Sequence, residues 1–296
     1  MRSGSMIDSF TDEKCIERKC RRPARALRII CAVCLLALGA GLPAVWNLCT
    51  QADENARWPE EGGWVEQNGL LVLDESNLSQ GYILARSADY SSARLKLRVV
   101  YGDTHLDYDL PGDATYTVIP LQMGSGSYQV LLYQNTSGKK YAEVGNIWIY
   151  AELEREDVAF LYPNQYINYS IYSAAVEAAD QLCDGKSDRE AFQSVCSFMS
   201  SGFVYDFIKA ITISAGMLPD IDGAYEKKMG ICQDLAAIMC CMLRTQGIPA
   251  RMIIGYADNN YHAWTQTVID GVDEFYDPTA AINAISAKVY SAERSY

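Results

Sequence analysis

The segment GICQDLAAIMCCMLR, residues 230–244, carries three cysteines, Cys232, Cys240 and Cys241, beside little else that is reactive. If Cys232 opens a helix, Cys240 and Cys241 lie about 12 and 13.5 Å further along its axis, at 1.5 Å per residue. A disulfide back to Cys232 needs α-carbons within about 7 Å, so that bond is excluded. A shared four-coordinate metal fails for the same reason, because its ligand bonds are only about 2.0–2.3 Å long. Cys240 and Cys241 therefore read as apolar filler. Cys232 stands apart, since it follows Gly230 and falls in or beside the first turn of an apolar helix. Unpaired amides and the positive end of the dipole gather there, which favours a thiolate. The same amides could stabilise an oxyanion. A thiolate nucleophile also needs a proton acceptor, and the chain has two histidines. His105 lies among strand-like residues without a partner pattern and reads as a surface or strand-end histidine. His262 opens the run HAWTQTVI, and Asp277 closes EFYDPT, where strand gives way to turn. A carboxylate at that point could hold the imidazole in one tautomer and stabilise its cation, the logic of a Cys-His-Asp triad. The competing reading of the same residues is a capped helix, a satisfied histidine and a turn aspartate.

Positioning such a triad takes a helix followed by strands. CQDLAAIMCCMLRTQG has helical patterning to about Gln246, with Gly247 as its stop. The strand-like runs ARMIIGY, HAWTQTVI and EFYDPT follow. Upstream, YSAAVEAADQLCDG and REAFQSVCSFMSSGF are helical, and the second puts Phe192, Val195, Cys196 and Met199 on one buried stripe. Helices first and strands afterwards make an α+β domain over residues 160–296. Residues 67–155 instead alternate with period two, as in ARLKLRVVY, where Leu95, Leu97, Val99 and Tyr101 oppose Arg94, Lys96 and Arg98. Turn clusters such as GDT, PGD and NTSGKK separate six or seven such runs, which predicts a small antiparallel sandwich of immunoglobulin type. Residues 47–66, polar and broken by Pro and Gly, read as a linker.

The N-terminal part has a different character. Residues 1–49 hold eight basic and four acidic residues, and the remainder holds 17 basic against 33 acidic, a net −16. A body that acidic argues against nucleic acid as a partner. The basic tail, 1–28, leads into IICAVCLLALGAGLPAVW, residues 29–46, eighteen residues without a charge. That length suits a short membrane-spanning anchor with the body extracytoplasmic. A cleaved signal peptide, leaving a secreted body, is the competing expectation. Of the ten cysteines only Cys183, Cys196, Cys232, Cys240 and Cys241 remain for the body. That odd count leaves at least one free thiol or an intermolecular bond. No His/Asp/Glu cluster supports a metal site.

The four blocks GICQD, LRTQGIPAR, HAW and DPT, in this order and compactly spaced, resemble the core of the transglutaminase-like superfamily. FVYDFIKA resembles the Tyr-Asp segment that often precedes the nucleophile loop there. The resemblance covers about residues 165–280. It implies a papain-like α+β core with Cys232 as nucleophile, His262 as general base and acid, and Asp277 as the residue that orients it. No cofactor is implied for the chemistry. Trp264 would flank and shield the histidine, or simply pack in the core. Papain-type sites place a glutamine six residues before the nucleophile; here that position is Glu226, which leaves the side-chain oxyanion donor unassigned, with Tyr205 or Gln233 as helpers. The implied activity is cleavage or transfer of amide or peptide acyl groups of a protein substrate through a thioester, with hydrolysis placed ahead of glutamine–lysine cross-linking. A non-catalytic surface module that uses the same fold as a scaffold is the alternative.

Overall fold

The computed structural model describes residues 56–214, 216–285 and 287–296. The basic tail and the hydrophobic run 29–46 lie outside the described residues, as does the linker up to residue 55. Eight strands come first among the described residues: β1 (Val65–Asn68), β2 (Leu71–Asp74), β3 (Tyr82–Ser87), β4 (Leu95–Tyr101), β5 (Thr104–Leu110), β6 (Thr117–Pro120), β7 (Gly126–Ser137) and β8 (Lys140–Ala151). They form two antiparallel sheets, ordered β1-β2-β3-β6 and β5-β4-β7-β8. Period-two patterning explains the layering. In β4, Leu95, Leu97 and Val99 are buried between the sheets, and the intervening Arg98 faces out, where it holds Asp107 of β5 with two bonds of 2.7 and 2.8 Å. Leu71, Leu73, Ile83, Val130, Leu132 and Ile147 complete the apolar interior.

The second half contains α1 (Ala174–Cys183), α2 (Asp188–Gly202), β9 (Val204–Tyr205), α3 (Phe207–Thr212), α4 (Ile221–Lys227), β10 (Met229–Gly230) and α5 (Cys232–Arg244). It continues with β11 (Ala250–Ala257), β12 (Asn260–Ile269), β13 (Val272–Tyr276), α6 (Pro278–Asn283) and β14 (Tyr290–Ser295). The four long strands form one antiparallel sheet, β13-β12-β11-β14. Helix α5 is the axis of the core: every residue from Asp234 to Arg244 is buried, and α1, α2, α4, β11 and β12 pack around it. The described residues form an α+β fold, a β-sandwich followed by helices packed on an antiparallel sheet.

The helix also answers the question of three cysteines. Cys240 and Cys241 are fully buried among apolar side chains, and burial pushes the Cys240 thiol up to about 11 and the Cys241 thiol well above its ordinary value. All five cysteines of the body are free thiols. At the C-terminal end of α5 lies Arg244, also fully buried. Its guanidinium donates to the carbonyls of Ala250 (2.7 Å), Tyr162 (2.6 Å) and Tyr296 (3.1 Å), so it fastens the chain leaving the sandwich and the final strand to one point. The sequence reading assigned no role to this arginine.

The two halves are joined by more than one chain crossing. Tyr166 packs edge-on against Tyr108 of β5 with ring centroids 6.3 Å apart, and Gln165 bonds both backbone groups of Asp109 in the same strand. The described part of the segment read as a linker is also tied down. Trp58 packs edge-on against Tyr169 of the second half, while Gly62 and Gly63 donate to the buried Asp74 carboxylate. Pro and Gly there fit turns around these anchors rather than a free tether.

Candidate active site

Helix α5 begins at Cys232, directly after the two-residue strand β10 that pairs in parallel with β9. The approach of Gly230 to the helix dictates its residue type, since a β-carbon at that position would come 2.8 Å from Cβ of Asp234. Asp234 closes the first turn by accepting from the Ile231 amide at 3.0 Å. The next amides of the turn have no carbonyl partner within the helix, which leaves donors beside the thiol.

Strand β12 delivers His262. Its register with β13 pairs Thr265 with Tyr276, so the residue that leaves β13, Asp277, falls alongside the His262 end of the hairpin. His262 Nε2 meets Asp277 Oδ2 at 2.8 Å. That contact occupies one ring nitrogen and leaves Nδ1 without a partner in the pair. Cys232 is half-buried, and its thiol is among the groups that act on the same imidazole. Burial disfavours the imidazolium, yet the hydrogen bonds and charges of Asp277 and Cys232 outweigh it and raise His262 to about 9. The structure therefore brings together Cys232, His262 and Asp277, residues from a helix start, a strand and a strand end.

Asp277 is held from three directions. His262 and Tyr290 both donate to its Oδ2, each at 2.8 Å, and its Oδ1 caps α6 by accepting from Ala280 N at 3.0 Å. Burial would raise this carboxyl, but these bonds and the imidazolium hold it below the usual range. Tyr290, whose hydroxyl is pushed up to about 12 by burial and by the neighbouring carboxylate, comes from β14. Strand β14 reaches the site because Gly255 of β11 has no side chain, as a β-carbon there would lie 2.0 Å from the Ser291 carbonyl. Trp264 is buried and lies nearly parallel to the His262 ring, with centroids 6.5 Å apart. It also packs edge-on against Tyr290 at 5.1 Å, so it braces both groups that touch Asp277.

Of the residues considered as oxyanion helpers, Tyr205 lies closest in character. It is half-buried on β9, and burial together with the charges of Cys232 and Asp234 pushes its hydroxyl up to about 12. The Gln233 amide is committed elsewhere, donating to the Met217 carbonyl at 3.1 Å. Glu226 is exposed on α4. His105 is exposed on β5 of the sandwich, outside this cluster. Asp234 and Tyr290 are the members that sequence reasoning missed. Asp234 stood in the quoted GICQD block without a role, and only its burial shows one. Tyr290 carried no signal in its own segment. Among the described residues no group of three His, Cys, Asp or Glu side chains could hold a metal ion.

Residues 177–275 match the family model described as the transglutaminase-like superfamily. This stretch is a transglutaminase-like domain. Cys232 and His262 lie inside the matched residues, and Asp277 lies two positions beyond them. Among solved structures, the chain is similar to a protein described as a TGase (16% identity, 40% of this chain and 32% of that one, TM-score 0.32). It is similar to the periplasmic domain of TgpA from Pseudomonas aeruginosa bound to ethylmercury (14% identity, 67% and 92%, TM-score 0.35). It is also similar to red sea bream transglutaminase (14% identity, 67% and 48%, TM-score 0.27). The chain thus spans about a third of the first of these and about half of the last. No curated protein matches the chain. Function within the transglutaminase-like domain is decided by its own side chains.

Proposed function

We propose that the chain is a cysteine enzyme that cleaves or transfers amide acyl groups of a polypeptide through a thioester on Cys232. The observation that carries this reading is the 2.8 Å bond between His262 and the buried Asp277, on an imidazole that the Cys232 thiol also influences. A histidine raised to about 9 is protonated at neutral pH, and it is the proton partner proposed for the sulfur. The thiolate attacks the carbonyl carbon, and the carbon–oxygen pair moves onto oxygen. First-turn amides of α5, with the Tyr205 hydroxyl, are the donors proposed for that oxyanion. His262 then gives its proton to the departing amine or ammonia, and the thioester forms. In the second half His262 takes a proton from the acceptor, which attacks the thioester and releases Cys232. Asp277 keeps the imidazole oriented throughout and stabilises its cation.

Water is taken as the acceptor ahead of a lysine amine. Ammonia release from a glutamine peptide, measured with and without a primary amine, tests this order. Hydrolysis predicts carboxylate product that persists with amine present, whereas full conversion to the amine adduct makes the protein a cross-linking enzyme. No product from any amide, with Cys232 unmodified, returns the chain to a scaffold role.

The body is placed outside the cytoplasm on the strength of the basic tail and the uncharged run 29–46 in the sequence. Among the described residues no helix is long and apolar enough to cross a membrane. Labelling of Cys232 in intact cells by a membrane-impermeant maleimide is the expected result; labelling only after lysis contradicts it.

A further inference from the structure

Helix α3 turns its apolar residues outward and its one charged residue inward. Phe207, Ile208 and Ile211 are 67%, 76% and 85% exposed, while Lys209 keeps only 27% of its side chain in contact with water. The Lys209 ammonium donates to Oδ2 of Asp234 at 2.7 Å, and that carboxylate is fully buried. A lysine on a surface helix ordinarily does the reverse, sending its charge to water and laying its stem on the protein. Drawing an ammonium away from water costs free energy, so its placement calls for a reason beyond packing.

Asp234 itself stands two residues after Cys232, in the first turn of α5. Its Oδ2 also accepts from the Ile231 amide and its Oδ1 from the Asp220 amide, each at 3.0 Å, so it fastens the helix start to the residue that opens α4. A carboxylate suits that place, because the positive end of the dipole and the free amides favour an anion. A thiolate at Cys232 draws on the same helix end. Two anions in one turn repel, and an uncompensated Asp234 would hold the sulfur protonated. The reach of its charge shows at Tyr205 of β9, whose hydroxyl is pushed up to about 12 by burial first and then by the charges of Cys232 and Asp234. The other charged and titratable groups around this turn already have partners. His262 of β12 bonds Asp277, which also takes the Tyr290 hydroxyl of β14; Asp206 caps α3, and the Asp220 side chain caps α4. Lys209 is the cation bonded to Asp234.

We infer that Lys209 is a positioning residue for the reaction: acting through Asp234, it neutralises the capping carboxylate of α5 so that the same helix start can also hold the Cys232 thiolate. The inference rests on the thioester chemistry proposed above and adds a residue to that same site. The fold around β9 supports it. Strands β9 and β10 pair in parallel, and Asp206 N donates to the Gly230 carbonyl at 3.0 Å, which sets the start of α3 against the residues that lead to Cys232. Asp206 then caps α3 by accepting from Lys209 N at 2.8 Å, so the backbone of Lys209 is fixed as well as its ammonium. A bond of 2.7 Å between ionised partners is of the strong, charge-assisted kind. The outward apolar residues follow, since residues two positions from Lys209 on either side fall on the opposite face of a helix.

The test reads Cys232 alkylation by iodoacetamide across pH in the full chain, in Lys209→Met, in Lys209→Arg and in the double variant Lys209→Met/Asp234→Asn. Lys209→Met strands the carboxylate beside the thiol. It is expected to slow alkylation at neutral pH about ten-fold, with the profile moved about one unit to higher pH. Lys209→Arg keeps the charge and is expected to keep the native profile. The double variant removes both charges together and is expected to return to within about two-fold of the native rate, although each of its changes deletes a bond. A tether that only held the fold would behave otherwise, because the double variant would then be the most impaired. A profile unmoved in Lys209→Met, an equal shift in Lys209→Met and Lys209→Arg, or a folded double variant as slow as Lys209→Met overturns the inference. Melting curves identify a double variant that does not fold, and the comparison of Lys209→Met with Lys209→Arg then decides. Failure of the thioester reading appears separately, as a native profile that coincides with that of His262→Ala.

Discussion

Cys232 and Cys240 stand on the same helix, eight residues apart, and the two ends of that helix treat a thiol in opposite ways. At the N-terminal end the sulfur meets an imidazole, amide donors and a half-open surface. Further along it meets only buried neighbours, with a weak 3.9 Å contact to Thr265, and burial suppresses its ionisation. Residue type alone does not make a nucleophile; the strand and loop brought against it do. Polar groups divide the same way. The carboxylate of Asp234 organises the reactive end, and the guanidinium of Arg244 organises the structural end by satisfying three carbonyls.

The contrast can be broken outright with a pair of alanine variants. Cys232→Ala is expected to lower acyl transfer by at least about 10³-fold with little change in melting temperature. Cys240→Ala is expected to cost about 1–2 kcal/mol of stability and leave turnover near the native value. Amide turnover and chemical denaturation on both proteins check this, and equal activity losses would erase the distinction. The other end responds to Arg244→Met. Three buried carbonyls lose their donor, for an expected destabilisation of about 3–5 kcal/mol by denaturant titration. Whatever fraction remains folded keeps the alkylation rate of Cys232.

Tyr290→Phe sharpens the comparison at the reactive end with a smaller effect. Removing one donor from the buried Asp277 carboxylate, which keeps its other two, should cost about 1 kcal/mol of transition-state stabilisation, roughly five-fold in kcat with KM little changed. Because Asp277 loses a bond that favours its charged form, the acidic limb of the kcat–pH profile should move to higher pH. An unmoved limb would make Tyr290 a packing residue only.

Much of this architecture was legible before any coordinates. Alternation in ARLKLRVVY announced a half-buried strand, and the apolar helix after Gly230 was visible from its run and its glycine stop. The order of the GICQD, GIPAR, HAW and DPT blocks pointed to the transglutaminase-like domain. What stayed hidden depends on partners remote in sequence. Asp234 acquires its role from Lys209 and Asp220, and Tyr290 acquires its role only because β14 folds back across Gly255. The exposed apolar loop was hidden for another reason. Phe207, Ile208 and Ile211 look like core residues in a sequence, and only the fold shows that nothing in the described chain covers them. Trp58 and its neighbours were hidden by composition, since Pro and Gly serve a packed turn as readily as a tether.

The central claim is that Cys232 and His262 act as one ionised pair. It is tested most directly by the rate of Cys232 alkylation with iodoacetamide from pH 5 to 9, in the native chain and in His262→Ala. A histidine raised to about 9 keeps its proton through neutrality, so a positive charge is available to the sulfur at pH 6–8. Native protein is therefore expected to react rapidly at pH 6–8, and His262→Ala to react slowly there and to gain rate only toward the ordinary thiol range near 8.5. Superimposable profiles for the two proteins would contradict the account.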